Sequence, residues 1–143
     1  MLEYSGNYKN KDVFYIDYKL VEFHSRYWKQ INELNKQEGW QNLVENKDMY
    51  RKSLENSITI VAVDKSSNVI GFIRGIKDGS TTLFICELLI IEQKRGRGIG
   101  NELINHLHKM YPDTRIDLLA TTHSSKFYEK QGFRIFHGYR KNF

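Results

Sequence analysis

Apolar positions along this chain change period several times, and each change marks an element. Asp12–Tyr18 reads DVFYIDY and predicts a first strand. Leu20, Phe23, Tyr27, Ile31 and Leu34 then step by three and four, which predicts an amphipathic helix ending before Gly39. Asp48–Asn56 predicts a second, short helix. Ile58–Val63 (ITIVAV) is a continuous apolar run, Asp64–Asn68 a turn, and Val69–Ile76 the returning strand of a hairpin. Asp78-Gly79-Ser80 turns the chain into a further strand, Thr82–Ile91. Ile99, Leu103, Leu107 and Met110 line one side of the next helix. Pro112-Asp113 leads to a strand at Arg115–Ala120. Ser124–Gln131 reads as a helix, with Gly132 where it stops. Phe133–Phe136 is the last clear strand, and His137–Phe143 is expected to pair briefly at most.

The predicted order is β-α-α-β-β-β-α-β-α-β. Antiparallel hairpins come first and a βαβ unit follows, so the fold class is an α/β sandwich. A mixed, mostly antiparallel central sheet is flanked by helices. No internal repeat or low-complexity tract interrupts the 143 residues, and the single proline and lack of a Gly/Ser linker predict one domain over 1–143.

The junction at the start of the third helix carries the chemistry. Leu88, Leu89, Ile90 and Ile91 form an apolar run. The basic, glycine-rich turn Arg95-Gly96-Arg97-Gly98-Ile99-Gly100 follows, and the helix opens directly from it. The first N–H groups of a helix have no internal acceptor, and its dipole favours negative charge there. No Ser, Thr, Asp or Asn stands between Lys94 and Gly100 to cap those donors. Glycines let the backbone approach a phosphate, and Arg95 and Arg97 add charge. A Walker loop would need Gly-Lys followed by Ser or Thr. A dinucleotide fingerprint would need G-x-G-x-x-G after the first strand. Neither spacing is present.

R-x-x-G-x-G after an apolar strand, opening a helix, resembles the acyl-CoA signature of the GNAT superfamily of N-acyltransferases. Downstream, Ser125-Lys126-Phe127-Tyr128-Glu129-Lys130-Gln131-Gly132-Phe133 resembles that family's small-x-F-Y-E-K-x-G-F segment. One helix and one strand separate the two motifs, as in the family, and the Ile58–Ile76 hairpin resembles its middle strands. The resemblance covers about 58–133. Two positions depart from it. Glu92 stands where the family often has Pro, and Thr121 and Thr122 stand where it often has Asn.

The resemblance implies the GNAT fold and acetyl-CoA as acyl donor. Backbone N–H groups of Arg95, Gly96, Arg97, Gly98, Ile99 and Gly100 would hold the pyrophosphate. Backbone groups of Leu89, Ile90 and Ile91 would hold the pantetheine arm. It places Tyr128 near the thioester sulfur as general acid, and a phenol with pKa near 10 suits a departing thiolate. Glu87 is the acid in an otherwise apolar strand and the leading candidate for general base, with a solvated edge position as its alternative. Asp117 on the next strand is the rival, and His123 a lesser relay candidate. Trp28 and Trp40 lie in the region that shapes the family's acceptor pocket, where aromatics can hold a cationic amine. Direct attack needs no nucleophile, so Cys86 reads as a small core residue. His24, His106, His108 and His137 make no ligand pattern, and no metal is expected.

Composition adds limits. The net charge of +5 and pI near 9.2 favour anionic ligands, a phosphorylated cofactor among them. The basic residues are scattered, so no nucleic-acid surface is expected. No run of 18 apolar residues is present, the N-terminus lacks an apolar signal core, and the lone Cys86 fits a reducing compartment. A cytoplasmic location is therefore expected. The expected function is N-acetyltransfer from acetyl-CoA to a primary amine of a small molecule or peptide. A non-catalytic acyl-CoA-binding module and, further off, an RNA-binding domain are the alternatives. A homodimer is compatible with everything above.

Overall fold

The computed structural model describes residues 12–142. Strands β1 (Val13–Phe14) and β2 (Tyr18–Glu22) come first. Helices α1 (Trp28–Glu38), α2 (Gln41–Glu45) and α3 (Lys47–Asn56) follow. Then come β3 (Ile58–Asp64), β4 (Val69–Lys77), β5 (Thr82–Ile90), α4 (Ile99–Met110), β6 (Arg115–Leu118) and α5 (Ser125–Lys130). The six strands form one sheet in chain order. Every neighbouring pair is antiparallel except β5–β6, which is parallel because α4 carries the chain back across the sheet. The mixed, mostly antiparallel sheet expected from the pattern is present.

Both faces of the sheet are covered, and this explains the unbroken apolar run of β3. Ile60 and Ala62 pack with Leu103, Ile104 and Leu107 of α4 on one face. Val61 and Val63 pack with Ile31 and Leu34 of α1 and Leu54 of α3 on the other. Alternation along a strand thus meets apolar partners at every residue.

Three predicted boundaries are corrected. Leu20 does not begin a helix. It lies in β2 opposite Ala62, fully buried, and α1 starts only after a 3₁₀ turn at Ser25–Tyr27. The three-residue step from Leu20 to Phe23 is strand followed by loop, so only Tyr27, Ile31 and Leu34 make the helical stripe. The first predicted strand is likewise split, because Tyr15 N–H turns back to the Tyr18 carbonyl (2.8 Å) and makes a hairpin of β1 and β2. Phe133–Phe136 is not a strand. Phe133 N–H donates to the Tyr128 carbonyl (3.1 Å) and so closes the end of α5, and Gly132 takes φ +86° to allow it. Residues 137–142 form no strand either, and Phe143 lies outside the described residues.

Candidate active site

The glycine turn is built to leave its donors free. Gly96 and Gly98 take φ of +74° and +84°, a region that side chains with a Cβ enter with strain. Gly98 is the residue preceding α4 and offers no side chain to cap it. Backbone N–H groups from Gly96 to Asn101 find no acceptor among the described residues, and Glu102 N–H is the first to close the helix, onto Gly98 (3.0 Å). Nothing lies within 4 Å of where a Cβ would stand at Gly96 or Gly98, so the turn is open to solvent. Gly100 differs. A Cβ there would meet the Phe127 ring at 3.2 Å, so this glycine lets α5 pack onto the first turn of α4.

The two arginines of the turn are not equivalent. Arg95 Nε donates to the Ile90 carbonyl (2.9 Å), and its Nη2 pairs with Glu38 at the end of α1 (2.7 Å). Its side chain therefore ties the turn to β5 and α1. Arg97 is exposed and makes no hydrogen bond or ion pair among the described residues.

Glu87 sits where the sheet geometry changes twice. Arg74 stands opposite Glu87 and Gly75 opposite Ile85, so Cys86 is an extra residue, a β-bulge in β5. Before the bulge, Leu83 and Ile85 point toward α4. After it, Leu88 and Ile90 take that side and Leu89 points toward α1 and α3. The bulge reverses the alternation and turns Glu87 onto the α1/α3 face. The split from β6 occurs at the same place. The last β5–β6 pair is Ile85 with Leu118, so among the described residues one edge of β5 from Cys86 to Ile90 has no strand beside it. About 10 Å of strand runs from Glu87 to Ile90, and the 3₁₀ turn Glu92–Lys94 then leads to Arg95.

Glu87 is held tightly. Arg74 donates to both its carboxylate oxygens, from Nε (2.7 Å) and Nη2 (2.9 Å), with the two side chains only 15% and 9% exposed. Arg74 Nη1 donates to Ser57 Oγ (3.1 Å), and the guanidinium lies over the Tyr50 ring at 5.6 Å. Burial, then the Glu87 charge, pushes the Tyr50 phenol up, against Arg74 and the Asn35 amide beside it. Among the described residues, the buried Tyr50 hydroxyl and both polar atoms of the fully buried Asn35 side chain find no hydrogen-bond partner.

Residues 17–141 match the Acetyltransferase (GNAT) domain, most of the chain. The chain belongs to the GNAT acetyltransferase family. Among solved structures it is similar to a probable acetyltransferase of meticillin-resistant Staphylococcus aureus, with TM-score 0.72 at 20% identity, covering 88% of this chain and 99% of that one. A GNAT family acetyltransferase of Streptococcus pneumoniae aligns with TM-score 0.69 at 24% identity over 82% and 86% of the two chains. An aminoglycoside 6′-N-acetyltransferase complexed with coenzyme A aligns with TM-score 0.70 at 21% identity over the same shares. No protein among the curated sequences matches this chain.

The other predicted residues fall around this GNAT frame as follows. Tyr128 lies on α5, its ring edge-on to Phe127 (5.1 Å) and Phe133 (5.6 Å), in the apolar cluster that also holds Ile90, Ile91 and Ile99. Its hydroxyl has no partner among the described residues, and burial raises its pKa above the usual phenol value. Trp28 packs 6.4 Å from the Tyr50 ring, on the Glu87 face, with Arg51 over it at 6.0 Å. Trp40 packs against the same apolar cluster from the α1–α2 turn, its backbone N–H bound to the Asn35 carbonyl (2.9 Å). Asp117 pairs with Arg115 (3.2 Å) on the surface of β6, its side chain 48% exposed, and opposite Phe84, before the split. His123 is exposed. The Cys86 thiol is pushed up by burial, so it stays protonated and unreactive. No group of three potential ligands that could hold a metal occurs among the described residues. No described helix is long and apolar enough to cross a membrane.

Arg74, Tyr50, Asn35 and Glu38 escaped the sequence reading. Arg74 alone carried a signal, as the one charge within the apolar strand VIGFIRGI opposite the one that holds Glu87. Tyr50 and Asn35 lie on helical stripes that read as packing.

Proposed function

We infer that the chain transfers an acetyl group from acetyl-CoA to a primary amine of a small molecule or peptide by direct attack. The observation that carries this reading is a pair of open backbone surfaces among the described residues, the edge of β5 beyond Ile85 and the uncapped N–H groups of Gly96–Asn101, joined by the hydrogen-bonded 3₁₀ turn Glu92–Lys94. The residues fit the group. Free N–H donors and the unpaired Arg97 suit a pyrophosphate, and the unpaired strand edge suits an amide-bearing arm. Acetyl-CoA supplies an activated acetyl thioester.

The protein's part is positioning and proton handling. The N–H groups between Gly96 and Gly100 anchor the phosphates away from the reacting centre, and the β5 edge aligns the arm. Glu87 takes the proton of the acceptor ammonium, directly or through one water. Each of its oxygens keeps a lone pair beyond the one engaged by Arg74. Tyr128 supplies the proton that neutralises the departing thiolate, and burial keeps its phenol protonated for that role. Trp28, next to Tyr50, and Trp40 border the acceptor's approach.

An acetyl-CoA turnover screen against a panel of amines tests the reaction, with aminoglycosides, polyamines and peptide N-termini included. On an amine that turns over, Glu87→Gln lowers kcat/KM, and the loss shrinks at higher pH where free amine is abundant. Superimposed pH profiles for parent and variant would remove Glu87 as base.

A further inference from the structure

We propose that Arg74 is a positioning residue for Glu87: its forked guanidinium fixes the carboxylate's direction and supplies its counter-charge at the bulge of β5. The inference rests on the acetyltransfer reading, in which Glu87 receives the acceptor's proton.

The argument starts from burial. An ion pair out of water loses about as much in desolvation as its attraction returns, so a buried pair gives the fold little net stability. This pair is also more elaborate than a fold needs. Arg74 is held on three sides, by both oxygens of Glu87, by Ser57 Oγ and by the face of Tyr50. Tyr50 lies on α3, Ser57 caps the end of that helix and Glu87 is on β5, so a helix and a strand far apart in the chain converge on one guanidinium. A side chain so fixed has one direction, and a bidentate fork transmits that direction to its carboxylate.

Charge points the same way. The ionisable groups whose charge reaches this site are Arg74 from β4, Tyr50 from α3 and Cys86 beside Glu87 on β5. Burial raises the pKa of the Tyr50 phenol and of the Cys86 thiol, so both are neutral near neutral pH. Burial also works against the Arg74 charge, but the hydrogen bonds and charge of Glu87 outweigh it. Among the described residues, Arg74 is thus the cation paired with Glu87. The bulge adds the reason for position. It places Glu87 on the α1/α3 face next to the point where β5 parts from β6, and the Arg74 fork holds its carboxylate in one direction, toward β4.

The test needs no acceptor amine. The Glu87 side-chain carboxyl carbon is followed by ¹³C NMR through a pH titration of the ligand-free chain and assigned by its loss in Glu87→Gln. In Arg74→Gln the titration midpoint rises by about one unit or more relative to the parent, because a buried carboxylate has lost its counter-charge. In Arg74→Lys, which keeps charge but not the fork, most of that shift is recovered. With a working amine, Arg74→Lys still lowers kcat about ten-fold, leaving acetyl-CoA affinity unchanged. Should Arg74→Gln fail to fold, Arg74→Lys and the charge-free pair Arg74→Met/Glu87→Gln carry the test. Arg74→Met then adds little to the loss caused by Glu87→Gln alone. An unmoved midpoint in Arg74→Gln overturns the proposal, and so does an equal kcat loss from Arg74→Met with Glu87 present or replaced. A moved midpoint with a pH–rate profile indifferent to Glu87→Gln supports the clamp and rejects Glu87 as base, so the two readings fail separately.

Discussion

The glycine turn and the Glu87 cluster lie on one strand and its continuation, yet they are built by opposite means. The turn is made of backbone. Its donors are N–H groups of consecutive residues, and two left-handed glycines set their direction. The cluster is made of side chains. It draws Asn35 from α1, Tyr50 from α3, Ser57 from before β3, Arg74 from β4 and Glu87 from β5. A backbone site needs only local conformation, so it suits the anionic donor proposed above. A side-chain site is adjustable residue by residue, which suits selection of the proposed acceptor. Changes in the backbone site should therefore alter affinity, and changes around the reacting centre should alter rate.

Tyr128→Phe gives the largest expected effect. Loss of the proton donor should lower kcat about 10²-fold with acetyl-CoA affinity nearly intact, measured by steady-state kinetics and calorimetry. Unchanged kcat would take Tyr128 out of the mechanism. Burial raises the phenol's pKa, so any fall in kcat due to its ionisation should appear only above about pH 10. The linkage sign agrees. Above that pH the folded chain holds a proton that the unfolded chain has lost, so stability falls as pH rises, and Tyr128→Phe should lessen that fall.

Gly98→Val comes next. A β-branched residue forced to φ +84° redirects the donors, and acetyl-CoA affinity should drop about ten-fold or more, about 1.4 kcal/mol. Equal affinities in calorimetry would show that the turn does not bind through its backbone.

Glu38→Ala sharpens the contrast at the small end. Its pair with Arg95 is partly exposed, at 34% and 47%, and Arg95 keeps its bond to the Ile90 carbonyl. The stability cost should stay within about 1 kcal/mol by thermal unfolding, and acetyl-CoA affinity should hardly change. A loss as large as that of Gly98→Val would mean that side chains, not glycine backbone, hold the turn.

Much of this was legible in the residues. The β3–β4 hairpin, β5, the glycine turn and α4 follow from apolar periodicity and turn residues, because each is decided within a few residues of its own position. The open turn and the placement of Tyr128 on a helix were legible for the same reason, being carried by contiguous segments. Glu87 stood out as an acid among apolar neighbours, but its surroundings did not. Leu20 and Phe23 fit a helical step by accident, and only pairing with Ala62 of β3 assigned Leu20 to a strand. Phe133 had the character of a strand residue, yet its N–H was already needed to end α5. The bulge at Cys86 leaves no mark in composition, since it exists only as a mismatch between two strands, and that mismatch decides which face Glu87 takes. Sequence alone thus determined most of the elements and the open glycine turn, whose conformations are local. Tertiary structure decided the partner, direction and charge environment of Glu87, because segments far apart in the chain meet there only when the sheet is assembled.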